Sequence, residues 1–318
     1  MIKISKITAI LALTLFSTAA SSAQYVIGTS GQGTATYGIG SAMASVLAKD
    51  AGDQFVVQPH GGTGKIVPLV NTGKVDYSLA NILEVANAVK GRGPFKGRVS
   101  ENLRVVAVVY PFEVGFFVKS DSDIKTVADL KGRKVSTEYS GQKIIGILSR
   151  AVLANAGLSV ADVDGVPVTN IIGNADDFSE GKTEAGFFAV GAGKMNQVAA
   201  AVGGIRFLPV INNDEAAKRM QKVVPPSYVT VTKPRKGLTG VEVDTPLMAY
   251  DYLLYAGSHV PDSAVAKLVA AMAKNRKAMS EAYGPLTKFD PANMAKDIGL
   301  PFHPGAESYY KAQGLWKR

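Results

Sequence analysis

The sequence predicts an α/β fold built as two similar lobes, on three observations. Strand-like and helix-like segments alternate through most of the 318 residues. The alternation comes in two sets, and each set holds the same echo: NTGKVDYSLA from Asn71 and SEGKTEAGFFA from Ser179 share Gly-Lys-x-acid followed by small and apolar residues. Finally, the apolar, β-rich stretch LRVVAVVYPFEVGFFVKSD runs out of the first set, and TPLMAYDYLLYAGSHVP brings the chain back.

The first set opens with the strand YVIGT, followed by a helix whose Ile39, Met43, Val46 and Leu47 fall on one face. QFVVQP is the second strand, a helix carries Ile66, Leu69 and Val70, and VDYSLAN is the third strand. Pro68 limits how early that second helix begins, because an interior proline loses a hydrogen bond, so the GGTG turn is expected outside it with open amides. The second set repeats the scheme with RKVSTEY, a helix carrying Ile144, Leu148 and Ala151 that closes at Gly157, then GVPVTNI and TEAGFFAV. Near the C-terminus, Val265, Leu268, Val269 and Met272 share a helical face, with Asp262 or Ser263 as the expected cap and core packing as the expected role.

Composition narrows the function. Lys3 and Lys6 precede the apolar run Ile7 to Phe16, and STAASSAQ supplies small residues for a signal peptidase, so residues 1–23 read as a secretory signal cut after Ala23. That run is too short to span a membrane, which needs about 20 residues. The chain has no cysteine, which excludes lipid anchoring at cysteine, disulfides, thiol catalysis and cysteine-zinc sites. Removing the signal takes the net charge from +9 to +7. No Lys/Arg run exceeds two residues and no aromatics interleave with them, so solubility or a bias toward anionic ligands explains the charge better than nucleic acid does. His60, His259 and His303 are far apart in sequence, no metal or other cofactor is expected, and no catalytic pairing stands out. About 295 residues remain after cleavage, enough for two domains.

HGGTGKIVPLVNTGK, from His60, resembles several phosphate or catalytic motifs and satisfies none. A Walker loop needs Gly and Ser/Thr where Pro59 and Ile66 stand, and an esterase needs a G-x-S-x-G that the chain lacks. The Gly31 and Gly38 regions each miss a dinucleotide fingerprint by one residue. What remains is a Gly-rich turn feeding a helix, whose open N–H groups attract an anion or a polar oxygen. Similar turns recur at Thr29 to Thr34 and at Ser140 to Gln142, so three of them converging would grip a carboxylate without arginine. Asn81, ending a strand, is expected to face the crevice. Tyr37 suits either core or ligand stacking, and Glu84, Glu113 and Glu138 stay open between surface and pocket.

Four stretches carry a family resemblance: IGTSGQGTATYGIGSAMA at Ile27, GGTGKIVPLVNTGKVDYSLAN at Gly61, LKGRKVSTEYSGQ at Leu130 and GLPFHPGAESYY at Gly299. The chain resembles the TAXI family, the extracytoplasmic solute receptors of TRAP transporters, over essentially its whole mature length. The resemblance implies a two-lobed type II periplasmic-binding-protein fold with a hinge and an interlobe ligand cleft. Residues 24–120 with 246–318 would form lobe I and residues 121–245 lobe II, with crossings near 119–125 and 225–246. It further implies a monomeric periplasmic receptor that captures a small organic anion or amino acid and passes it to a TRAP membrane permease. A sensor subunit of a membrane kinase, or an enzyme on the same fold, are the alternatives. The expected ligand-binding residues are Thr29, Ser30, Gly31, Thr34, Tyr37, Gly62, Thr63, Asn81, Tyr139, Ser140, Gly141 and Gln142. Within the family's motifs this chain has Thr36-Tyr37 for Tyr-Tyr, Thr63 for Ser, Ile66 for Asn and Gln142 for Thr, which points to a ligand other than the glutamate-like amino acids typical of the family.

Overall fold

The computed structural model describes residues 23–317; the signal segment expected over 1–23 lies outside them except for Ala23. The first set folds as β1 (Gln24–Ser30), α1 (Ala35–Ala51), β2 (Gln54–His60), α2 (Thr63–Asn71) and β3 (Tyr77–Asn81), with α3 (Ile82–Val89) following directly. The second set is β5 (Lys134–Tyr139), α4 (Lys143–Asn155), β6 (Asp164–Val168), α5 (Ile171–Ser179) and β7 (Gly186–Ala189). Between the sets runs β4 (Leu103–Lys119). Then come α6 (Gly193–Val202), β8 (Ile205–Phe207), α7 (Asp214–Val223), β9 (Tyr228–Thr232), β10 (Thr245–Gly257), α8 (Asp262–Lys274), α9 (Arg276–Ala282) and α10 (Pro304–Ala312).

The two sets share one topology. In the first, β2, β1 and β3 are parallel neighbours, and β3 pairs antiparallel with β10. In the second, β6 and β5 are parallel, Val135 in β5 bridges Ala185 just before β7, and β7 pairs antiparallel with β4. The echo read in the sequence marks equivalent corners: α2 and α5 each end just before a glycine with positive φ, Gly73 at 73° and Gly181 at 76°. Glycine adopts that conformation without a Cβ penalty.

β4 and β10 tie the sets together. Leu103 to Val114 pair with β10, Val114 to Phe117 with β7, and Phe117 to Lys119 with β8; Thr245 to Ala249 pair with β9. Strands covered on both faces lose the in-out alternation, hence the unbroken apolar letters of β4. Within the paired strands Pro111 lies opposite Asp251, and the register shifts between Tyr252 and Leu253 and again between Leu254 and Tyr255.

Two local expectations are corrected. α2 begins at Thr63, inside the GGTG turn, and carries Pro68 in its interior. Only the bond from residue 68 to Gly64 is forfeited, and burial of Ile66, Val67 and Val70 outweighs it. α8 follows Pro261 with no side-chain cap, so neither Asp262 nor Ser263 fills that role. The apolar face of α8 is buried against α1 and α10, in line with core packing.

Candidate functional site

In an open α/β sheet the carboxyl ends of strands and the starts of the following helices face one crevice. Here the crevice lies between the two sets and is open to solvent. The first set lends it a polar wall from Ser30, Thr34, Thr36, Thr63 and Asn81. The second lends an apolar wall from Ile144, Ile145, Leu148, Ile171, Phe187 and Phe188. Phe112, Val114, Tyr250 and Tyr252 of the crossing strands complete it. Residues i and i+2 of a strand share a face, so both pairs point the same way. Phe112 stacks on Tyr252 with ring centroids 4.1 Å apart, and Tyr252 hydroxyl is 2.7 Å from Thr36 Oγ1.

The helix starts at this crevice are not equivalent. Thr34 caps α1, accepting from the Tyr37 amide at 3.3 Å while its hydroxyl donates to the Gly31 carbonyl at 2.7 Å. Neither α2 nor α4 has a side-chain cap; the Lys65 amide donates to the Gly62 carbonyl at 3.0 Å and the Ile145 amide to the Gln142 carbonyl at 2.9 Å, so only the first two amides of each helix make no hydrogen bond among the described residues. Asn81 accepts from the Glu84 amide at 2.8 Å and so caps α3, which leaves its Nδ2 without a bond among the described residues. Ser30 is 6% exposed, and its hydroxyl likewise makes no hydrogen bond among the described residues.

A second, open chamber adjoins the first and shares Thr63, Gln142 and Ile144 with it. Lys65, Arg98 and Lys143, all exposed, line this mouth together with Ser140, Gly141 and Glu84. Glu84 is 3% exposed, accepts from the Thr63 hydroxyl, and is pushed up to about 7 by desolvation, which the Thr63 bond partly offsets. Gln142 spans the crevice: its Oε1 accepts from the Ile171 amide at 2.8 Å and its Nε2 donates to the Gly61 carbonyl at 3.4 Å. The Lys194 amide of α6 donates to the Gly33 carbonyl at 3.0 Å, tying the segment that follows the second set to the first.

With that geometry in place, comparison with known proteins assigns the chain. A family model described as the NMT1-like family matches residues 27–314. The chain belongs to the NMT1-like family. Among solved structures it is similar to a periplasmic transporter at 15% identity, covering 94% of this chain and 95% of that one with a TM-score of 0.55. It is also similar to a protein from Bordetella bronchiseptica at 18% identity, covering 93% and 90% with a TM-score of 0.50. The periplasmic aliphatic sulphonate binding protein of Escherichia coli matches at 19% identity, covering 92% and 84% with a TM-score of 0.47. The likeness to the periplasmic transporter shows the fold: α/β, in the two-lobed arrangement of periplasmic solute-binding proteins.

Of the residues expected at the site, this NMT1-like protein brings Ser30, Thr34, Thr63, Asn81 and Gln142 to the inner cleft and Ser140 and Gly141 to its mouth. Gly62, with φ of 140°, packs against Gln142. Thr29 is fully buried and faces α1, its methyl only 2.6 Å from where a Cβ on Gly40 would stand. Tyr139 is buried within the second set, its hydroxyl 3.3 Å from Asn174 Oδ1. Gly31 closes the α1 cap as an acceptor, and Tyr37, half-buried, accepts from Gln32 Nε2 at 3.5 Å; neither lines the cleft.

The amides expected to hold a carboxylate at Gly141 and Gln142 are already taken, by the carbonyls of Thr169 at 2.8 Å and Tyr139 at 3.2 Å. A Cβ on Gly141 would meet that Thr169 carbonyl at 2.9 Å, so glycine serves the neighbouring chain there and not a ligand. Glu113 pairs with Lys288, and Glu138 lies exposed outside the crevice. Glu84 alone of the three open carboxyls reaches the site. Among the described residues no group of three or more His, Asp or Glu could hold a metal ion, and no helix is long and apolar enough to cross a membrane.

Proposed function

We propose that this NMT1-like protein is a periplasmic solute receptor, exported by a signal cut after Ala23, that closes two lobes on a small carboxylate-bearing solute and delivers it to a membrane permease of the TRAP type. The observation that carries the reading is Gln142, a second-lobe side chain hydrogen-bonded to the first-lobe Gly61 carbonyl across a cleft both lobes wall. Such a bond forms only when the lobes meet, as in hinge-closing receptors. The TRAP assignment rests on the family resemblance of the four motifs. The binding set within the reading is Ser30, Thr34, Thr63, Asn81 and Gln142 inside, with Ser140 at the mouth. The lobes divide within β4 and β10, near Pro111 and Asp251, so residues 112–119 and 245–250 move with the second lobe.

A thermal-shift screen of carboxylates and amino acids, followed by small-angle scattering with each hit, tests this. Binding with a smaller radius of gyration is expected. Binding with no compaction overturns the hinge-closing receptor. Intact mass of periplasmic material should begin at Gln24 or within a residue or two of it, and material retaining Met1 overturns export.

A further inference from the structure

The two walls of the cleft differ in chemistry, and the difference selects a ligand. None of the residues lining the inner chamber is Lys, Arg, Asp or Glu. The second-lobe wall offers hydrocarbon, with Phe187 and Phe188 each 1% exposed and Leu148 beside them. A second ionised group carried to that wall would lose its water with no partner, which is prohibitive for affinity. The polar atoms on the opposite wall are few, neutral and unused: Ser30 hydroxyl and Asn81 Nδ2, on residues 6% and 5% exposed, have no hydrogen-bond partner among the described residues. They stand beside the start of α2, which has no side-chain cap and whose Thr63 and Gly64 amides make no hydrogen bond among the described residues, so that it attracts an anion. Thr63, at that start, belongs to both chambers, and the outer one carries Lys65, Arg98 and Lys143.

We infer that the solute is an amphiphilic monocarboxylate, with its carboxylate at the Thr63 junction, within reach of Ser30 and Asn81, and an aromatic or branched aliphatic body against Leu148, Phe187 and Phe188. The inference rests on the receptor reading above and adds the ligand class to it. Hydrophilic amino acids and dicarboxylates lack a partner for their second charge on the inner wall. The acid at the junction, Glu84, is raised to about 7 by desolvation, so at neutral pH a substantial fraction of it is protonated and it opposes the carboxylate less than an ordinary glutamate would. The outer lysines draw the anion toward the mouth without being buried with it.

Titration calorimetry of the mature chain with 3-phenylpropionate, its amide, glutarate and glutamate decides the class. The phenylpropionate is expected to bind at least tenfold tighter than each of the other three. Along propanoate, butanoate, pentanoate and hexanoate, affinity should rise about fourfold per methylene until the wall is filled. Ser30→Ala should weaken the carboxylates at least severalfold, and Lys143→Gln should weaken them while leaving the amide unchanged. Because the chain-length series uses the wild-type protein, a poorly folding variant does not blunt the test. Glutarate or glutamate binding more tightly, with lobe compaction, would overturn the amphiphile and keep the receptor. If no solute of the panel or the earlier screen binds, the receptor reading falls with it.

Discussion

The openings of α1 and α2 face the same cleft with the same kinds of letters, Gly, Ser and Thr, yet they do different jobs. At α1 the side chain of Thr34 takes the Tyr37 amide and the Gly31 carbonyl takes the Thr34 hydroxyl, so the turn is closed on itself. At α2 the cap is Gly62, which has no side chain, and the Thr63 hydroxyl is turned away to Glu84. One opening is closed by its own side chain; at the other the Lys65 amide bonds the Gly62 carbonyl, and the Thr63 and Gly64 amides make no hydrogen bond among the described residues. A Gly/Ser/Thr turn before a helix is thus a scaffold or a binding element according to where its hydroxyl goes, and that is a matter of a single rotamer and its neighbours.

The largest effect expected from this difference belongs to Glu84, the buried acid on which the α2 opening rests. Its pKa is raised from 4.5 to about 7, so the folded state holds a proton the unfolded chain has released, and its stabilising contribution is present below about pH 4.5 and lost as pH rises through 7. Between pH 5 and 8 the wild type should lose about 2 to 3 kcal/mol relative to Glu84→Gln, read from paired urea curves. Parallel curves for the two proteins would mean that the carboxyl is solvated and the contrast with α1 is overstated.

Next comes Gly62→Ala. A Cβ there would sit 2.8 Å from Gln142 Cγ on a backbone with φ of 140°, so strain and a displaced bridge add. A loss of about 1 to 3 kcal/mol in stability is expected, together with a larger radius of gyration as the lobes part. An unchanged radius would sink the role given to Gln142 in holding them together.

The comparison sharpens further with a pair of variants. Thr34→Ala removes a cap and should cost about 1 kcal/mol of stability. Ser140→Ala should cost almost nothing in stability, because that exposed hydroxyl makes no hydrogen bond among the described residues and α4 is not capped by it. Equal losses in denaturation would erase the distinction between a closed and an open turn. The smallest effect is Thr29→Val. The Thr29 hydroxyl is buried with no partner among the described residues, so a methyl in its place should be neutral or raise stability by up to about 1 kcal/mol, with ligand affinity unchanged. A marked loss of affinity would return Thr29 to the site.

Much of the fold was legible because it is written in local periods. Strand and helix segments, the repeated corner at Gly73 and Gly181, and the two apolar strands that join the halves all follow from residues within one element of each other. The site was legible only to the level of the turn. Thr29 and Ser30 are adjacent, and strand geometry sends one into α1 and the other into the cleft; Tyr139 and Ser140 part in the same manner. Letters alone give the alternation and leave its phase to whatever packs on each face. Phe112, Val114, Tyr250 and Tyr252 show the matching limit: an i, i+2 pair reads as core until a gap is known to lie in front of it.

By itself the sequence determined two βαβαβ sets, their glycine corners and the strands that cross between them, since backbone propensity and apolar periodicity act over a few residues. Only the tertiary structure decided that one wall of the cleft is polar and the other hydrocarbon, that Gln142 reaches Gly61, and that burial raises the Glu84 carboxyl. Desolvation and cross-lobe contact depend on groups far apart in the chain, and no local pattern encodes their distance.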